Sequence, residues 1–309
     1  MVPADRPALS EGETVVLPDQ VRLRHQAMAL RTLTLSSSWG DLLLSGGSRA
    51  GEGTLLVLPQ LRLALDIGRP HRILPPVTTA CLSHGHIDHL GGLAYWASQR
   101  YLNSMGPATL LVPEPIAADV TELLNLHARL EGGKPYDIDL KPVSAAAVHP
   151  LRTDFHLEFF PTDHWIPTLG SRVLWTRRRL LPELAGVEPA ELAALRKSGT
   201  QITSEIVTPL VSFGADTGPG LFANKRALDA EILLLECSFW KDGDLERART
   251  YGHLHISDLL EIAPYLKCRH LVLLHASRRT RLHEVEQIMA AELAPVFGGQ
   301  LHHMMVEWE

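Results

Sequence analysis

At 309 residues the chain can bury a sizeable core as one large domain or two ordinary ones. Its 45% hydrophobic and 21% charged content describes a soluble globular protein. A net charge of −6 argues against a globally basic nucleic-acid binder and leaves room only for a local basic patch. No apolar run approaches the roughly eighteen residues a membrane span needs, and Met1 to Gln20 has no signal-type apolar centre. Cys81, Cys237 and Cys268 are far apart and lack metal-site spacing, so they read as reduced, buried residues, with the cytoplasm as the expected location.

In chain order, residues 1 to 20 read as a loose leader. From Val21 to about Ala64, short apolar runs (Leu33 to Leu35, Leu42 to Leu44, Leu55 to Leu58) alternate with glycine-rich turns, a β-meander pattern. Leu61 to Ile67 reads as a further strand that ends near Asp66. An apolar run closing near Leu82 leads into a polar loop, and Leu90 to Leu102 then has helical spacing. Thr109 to Val112 reads as a strand, and Ile116 to Leu130 as a helix started by Pro115.

Strands and turns follow over Val143 to Phe160. The segment 175–200 breaks this rhythm, with Arg177, Arg178 and Arg179 and then a short helix from Pro189 to Lys197, and it reads as an inserted excursion. Strands are expected again at Ile206 to Phe213, Ile232 to Glu236 and Leu271 to Leu274. Helices are expected at Ser257 to Leu266 and Leu282 to Leu293.

The polar loop is the informative element. His84, His86, Asp88 and His89 fall within six residues. In extended backbone His84 and His86 point to one side and can share an ion, while Asp88 and His89 can face a second. Imidazole and carboxylate without thiolate suit zinc, with manganese or iron as alternatives. Further polar residues recur at strand ends: Asp66, His164, Asp216 and His275. Gathered on one edge of a sandwich, they would form a single site.

Taken in order, Asp66, the His84-Gly85-His86-Ile87-Asp88-His89 loop, His164, Asp216 and His275 resemble the metallo-β-lactamase superfamily. Tyr251-Gly252-His253-Leu254-His255 is similar to a loop of its ribonuclease Z branch, the tRNA 3′-processing endonucleases. The segments at Lys197 to Thr203 and Glu236 to Phe239 are similar to the short form of that branch. The resemblance implies an α+β fold, a four-layer αββα sandwich over residues 1–309, with 175–200 as a short arm. It implies two zinc ions: His84, His86 and His164 on one, Asp88, His89 and His275 on the other, Asp216 bridging, and Asp66 orienting a ligand histidine. Ala215 stands where the family usually has glycine, and Thr280 where it has an aromatic residue.

The chemistry expected of such a site is phosphodiester hydrolysis. Two zinc ions roughly 3.5–4 Å apart supply hydroxide at neutral pH and offset the charge of the attacked phosphate. Asp88 would orient that water or take its proton. His253, buttressed by Glu236, would protonate the departing ribose oxygen, expected to be the 5′-oxygen of the next nucleotide with a 3′-hydroxyl product; His255 is the alternative, or else a helix cap. The resemblance implies precursor tRNA or another RNA as substrate, no membrane association and a homodimer. Arg177, Arg178 and Arg179 on the arm, and Arg278 and Arg279 after His275, would contact RNA phosphates. The alternative function is hydrolysis of a small molecule (a cyclic phosphodiester, ester, thioester or lactam) on the same metals.

Overall fold

The computed structural model describes residues 30–308. The leader expected at residues 1 to 20, and the meander's first residues up to 29, lie outside them. Two seven-stranded sheets form the centre. The first runs in chain order: β1 (Arg31–Ser36), β2 (Asp41–Arg49), β3 (Gly53–Leu58), β4 (Leu63–Ile67), β5 (Thr79–Cys81), β6 (Ala108–Pro113) and β7 (Ile138–Val143). The second runs β8 (Val148–Arg152), β9 (Phe155–Pro161), β10 (Leu169–Leu180), β11 (Thr203–Phe213), β12 (Ile232–Glu236), β13 (His270–Leu274) and β14 (Gln300–His303).

The two sheets share a plan. β1 to β4 pair antiparallel and β4 to β7 parallel. Likewise β8 to β11 are antiparallel and β11 to β14 parallel. Parallel strands need crossovers, and helices supply them: α1 (Ile87–Leu90), α2 (Leu93–Leu102) and α3 (Ala117–Leu130) in the first half. In the second half α4 (Pro189–Lys197) lies in the excursion, and α5 (Lys225–Leu228), α6 (Leu245–Tyr251), α7 (Ile256–Ile262) and α8 (Leu282–Ile288) follow.

Strand alternation explains the four layers. In β3, Leu56 and Leu58 face the inter-sheet core, which they share with Leu44 of β2 and with Phe155 and Phe159 of β9. Leu55 and Val57 face the other way, onto Trp96 of α2 and Val120 and Leu124 of α3. In β13, Val272 and Leu274 join the inter-sheet core, while Leu271 and Leu273 pack with Leu259 and Val285 under α7 and α8. Strands covered on both faces read as continuous apolar runs, as Ile232 to Leu235 does. The fold is the four-layer α+β sandwich.

Two expectations need revision. The helix expected from Leu90 starts earlier and is broken: α1 and α2 are separated by Gly91 and Gly92. A Cβ on Gly92 would lie 2.5 Å from the Ile67 carbonyl oxygen, so the backbone passes there only without a side chain. The excursion also begins later than expected. β10 continues through Leu180, pairing Arg177 with Ile206 and Leu180 with Thr203, so residues 175–180 are strand and only the tip beyond them departs from the sheet. All three cysteines are free and buried.

Candidate metal centre

Most of the chemistry-bearing residues come from the C-terminal ends of the parallel strands, where open α/β sheets place their sites. Asp66 is the penultimate residue of β4, His84 follows β5, Asp216 follows β11, Glu236 ends β12 and His275 follows β13. At three of these ends the chain turns through left-handed backbone: Asp66 at φ 60°, Ala215 at 51° and His275 at 65°. Such conformations cost about 1–3 kcal/mol each, and here they turn the chain from strand direction into the shared rim.

The seven residues expected to hold metal come together. Asp216 Oδ2 lies 3.3 Å from His89 Nε2, 3.4 Å from His275 Nε2 and 3.7 Å from His84 Nε2. The Asp216 carboxylate thus stands at the centre of the cluster, within reach of three imidazoles. His84, His86 and His164 gather with Asp216 in one possible ligand group, and Asp88, His89 and His275 in a second. A third grouping, of Asp216, His275, His253 and Glu236, is chemically weaker. Both Glu236 oxygens are already taken: Oε1 accepts from Thr217 N–H (2.8 Å), and Oε2 from the Ser238 hydroxyl (2.7 Å).

Hydrogen bonds behind the cluster determine which imidazole nitrogen faces it. Asp66 Oδ2 accepts from His89 Nδ1–H (2.7 Å) and from the Ser83 hydroxyl (2.7 Å). A carboxylate only accepts, so the Ser83 oxygen in turn accepts from His84 Nδ1–H (2.9 Å). Ser238 donates to Glu236 and accepts from His275 Nδ1–H (3.0 Å). His164 Nδ1–H donates to the Gly252 carbonyl (3.0 Å). Four histidines thus turn Nε2 toward one small volume, where His84 Nε2 also lies 3.0 Å from His86 Nδ1.

This arrangement fits cations. The buried Nε2 of His164 has no hydrogen-bond partner among the described residues, and the Nε2 atoms of His89 and His275 approach to 3.3 Å. Burial, then the neighbouring charge of His89, drives His84 down to about 2, so it stays neutral with a free lone pair. Burial also opposes charge on His89, yet Asp216 and Asp66 outweigh it and hold its proton well above the ordinary range. A divalent ion supplies the counter-charge that this proton otherwise provides.

Beside the cluster, His253 Nδ1 lies 2.7 Å from Glu236 Oε1, with its ring centre 5.2 Å from that of His164 and 5.4 Å from that of His275. Burial works against the imidazolium, but the charge and hydrogen bond of Glu236 raise His253 to about 9. His255 serves elsewhere. Its Nδ1 accepts from Ser257 N–H and its own N–H donates to Asp258, which caps α7.

The arginines are more dispersed. Arg177 and Arg179 alternate with Arg178 along β10, so the three do not share a face. Arg177 stacks 4.8 Å over Trp175, and Arg178 pairs with Glu205 at 3.6 Å. Arg278 pairs with Glu52 (2.7 Å), and Arg279 is exposed. Thr280 is buried, so it presents no surface for packing a base or ribose.

Several supporting groups have no role assigned from sequence. Gly51 N–H donates to Asp88 Oδ2 (2.6 Å), and the Ser48 hydroxyl accepts from His275 N–H (3.0 Å). Main-chain donors and carbonyls such as those of Gly51 and Gly252 leave no mark in a sequence. Ser83 and Ser238 could have been suspected from standing next to His84 and two residues after Glu236.

The beta-lactamase superfamily domain profile matches residues 52–276. The chain is 34% identical over 260 residues to tRNase Z TRZ1 of Arabidopsis thaliana, covering 82% of this chain and 92% of that protein. It is 31% identical over 249 residues to the chloroplastic tRNase Z TRZ2 of the same plant, covering 79% of this chain and 70% of that one. Human short-form tRNase Z shares the fold, with a TM-score of 0.56 at 16% identity over 84% of this chain and 95% of its own. With more than half the chain matched and its histidine–aspartate cluster suited to divalent metal, this protein belongs to the metallo-β-lactamase superfamily of metal-dependent hydrolases, in the tRNase Z family.

Proposed function

We propose that the protein is a zinc-dependent endoribonuclease that removes 3′ trailers from tRNA precursors. The observation that carries this reading is the His253–Glu236 pair standing beside the seven-residue cluster. An alkoxide is a poor leaving group, and a protonated imidazole at its side is what a phosphodiesterase needs beyond charge neutralisation. The tRNase Z relatives supply the substrate class.

In this reading His84, His86 and His164 would hold one zinc ion, Asp88, His89 and His275 would hold the other, and Asp216 would serve both. When bound, the two ions offset charge on the phosphate oxygens and lower the pKa of water. Asp66 and Ser238 keep His89 and His275 oriented through their Nδ1 atoms. Asp88, fixed by Gly51 N–H, orients the attacking water or receives its proton. With Nδ1 committed to Glu236, His253 gives its Nε2 proton to the departing oxygen. That oxygen is the 3′-oxygen of the tRNA. The 5′-oxygen expected from sequence cannot be the leaving group, because only scission of the P–O3′ bond leaves a 3′-hydroxyl on the tRNA and a 5′-phosphate on the trailer.

The small-molecule alternative gains if the excursion folds over the metals. Its exposed arginines on an extended β10–β11 hairpin support an arm instead. Incubating zinc-loaded protein with a trailer-bearing tRNA precursor and mapping the ends tests the reading. A 3′-hydroxyl at the trailer junction is expected. An intact precursor, under conditions where a small aryl phosphodiester is hydrolysed, overturns it.

A further inference from the structure

Trp165 is the residue directly after His164, and 66% of its surface is exposed. Its ring centre lies 5.3 Å from that of His86 and 6.0 Å from that of His164. Ile87, between His86 and Asp88, is 71% exposed. Two large apolar side chains therefore stand in solvent beside groups built to hold cations.

The segment carrying Trp165 is pinned on both sides. Asp163 N–H donates to Thr217 Oγ1 (3.0 Å), and the Asp163 main-chain and side-chain oxygens accept from Gly218 N–H (2.6 Å) and Gly220 N–H (2.8 Å). Thr168 Oγ1 donates to the Ile166 carbonyl (2.9 Å), and Leu169 N–H donates to the Ser83 carbonyl (3.0 Å). The indole is thus held outward on an anchored segment, at the cost of its unburied apolar surface.

We propose that Trp165 is a stacking subsite for a nucleobase flanking the scissile phosphate. This rests on the RNA-cleaving reading of the metal centre. A phosphodiester seated on the cluster carries a nucleoside on each side, and one of these reaches the indole next to His86. Every nucleobase has a π-face, so the subsite accepts any base and positions the chain without reading sequence. The indole face offers no donor or acceptor to a base edge, so the contact does not depend on which base is present.

The test compares Trp165→Ala and Trp165→Phe with the wild type, each zinc-loaded and with metal content measured to confirm an intact centre. Substrates are a trailer-bearing tRNA and two versions made abasic on either side of the cut. Trp165→Ala is expected to lower kcat/KM by about 5–150-fold, the range of one base–aromatic stack, and Trp165→Phe to recover most of it. One abasic substrate should cost the wild type a similar factor and Trp165→Ala nothing further. Cleavage by Trp165→Ala at the wild-type rate, or losses that multiply at both abasic positions, overturns the subsite alone. A wild type that hydrolyses a small aryl phosphodiester but never the RNA overturns the RNA reading and the subsite with it.

Discussion

The main-chain N–H of Gly51 donates to Asp88 Oδ2 at 2.6 Å, which ties the β2–β3 turn to a residue of the metal cluster. The same turn reaches the other sheet. Ser48 accepts from His275 N–H, Ala50 N–H donates to the Ala276 carbonyl, and Arg49 Nη2 donates to the Thr280 carbonyl at 2.9 Å. Asp88 and His275, which belong to different halves of the chain, are thus held in register by the short run from Ser48 to Gly51.

Arg49 is 2% exposed, and its Nε and Nη1 have no hydrogen-bond partner among the described residues. A buried guanidinium so incompletely paired contributes little net stability, so its main effect is positional. Arg49→Met should weaken zinc binding by about 10–100-fold, the scale seen when a group supporting a metal ligand is removed. Isothermal titration of folded apo-protein checks this. Unchanged affinity would show that the turn holds Asp88 and His275 without the guanidinium.

Asp216→Ala removes the carboxylate that three histidine nitrogens share. Hydrolysis should fall to background and bound zinc by about one equivalent per chain, because the anion proposed to serve both ions is gone. His86→Ala should also abolish hydrolysis and lower bound zinc. Metal analysis beside a phosphodiesterase assay reads both effects. Full activity in either variant would contradict the ligand assignment.

The pH profile should report His253. Its pKa is raised to about 9, so the imidazolium is present below that pH and is lost as pH rises through it. With His253 as the proton donor, kcat/KM declines on an alkaline limb, which divalent ions bound beside the ring would draw below that value. Glu236→Gln removes the main favourable charge and should move the limb toward the ordinary histidine range, while His253→Ala should cost about 10²–10⁴-fold in rate. An identical limb in the Glu236→Gln enzyme would assign it to another group.

The outer end of the β10–β11 pair should act through charge. Neutralising Arg177, Arg178 and Arg179 together should weaken binding of precursor tRNA while sparing a small chromogenic phosphodiester. Arg178 already pairs with Glu205, so Arg178→Ala alone should matter less than Arg177→Ala combined with Arg179→Ala. Removing one arginine–phosphate pair lowers the slope of log affinity against log salt by about one. Equal losses on both substrates would rule out an RNA-gripping arm.

The histidine loop is legible in the sequence because its spacing is local: three histidines and an aspartate within six residues allow few other readings. Strand and helix periodicity marks the elements, since a strand buried on both faces has to be an apolar run, while their order in four layers came from the family resemblance. His164, Asp216 and His275 are individually ambiguous and gain meaning only from their order along the chain. Tertiary structure decided what depends on the packing of the two sheets. It placed Asp216 Oδ2 among three Nε2 atoms, turned those nitrogens inward through Asp66, Ser83 and Ser238, and set His253 on Glu236 while His255 capped a helix. It also extended β10 into the segment whose composition reads as an excursion. Periodicity reports which face of an element is buried, whereas the approach of groups some two hundred residues apart depends on how two sheets pack.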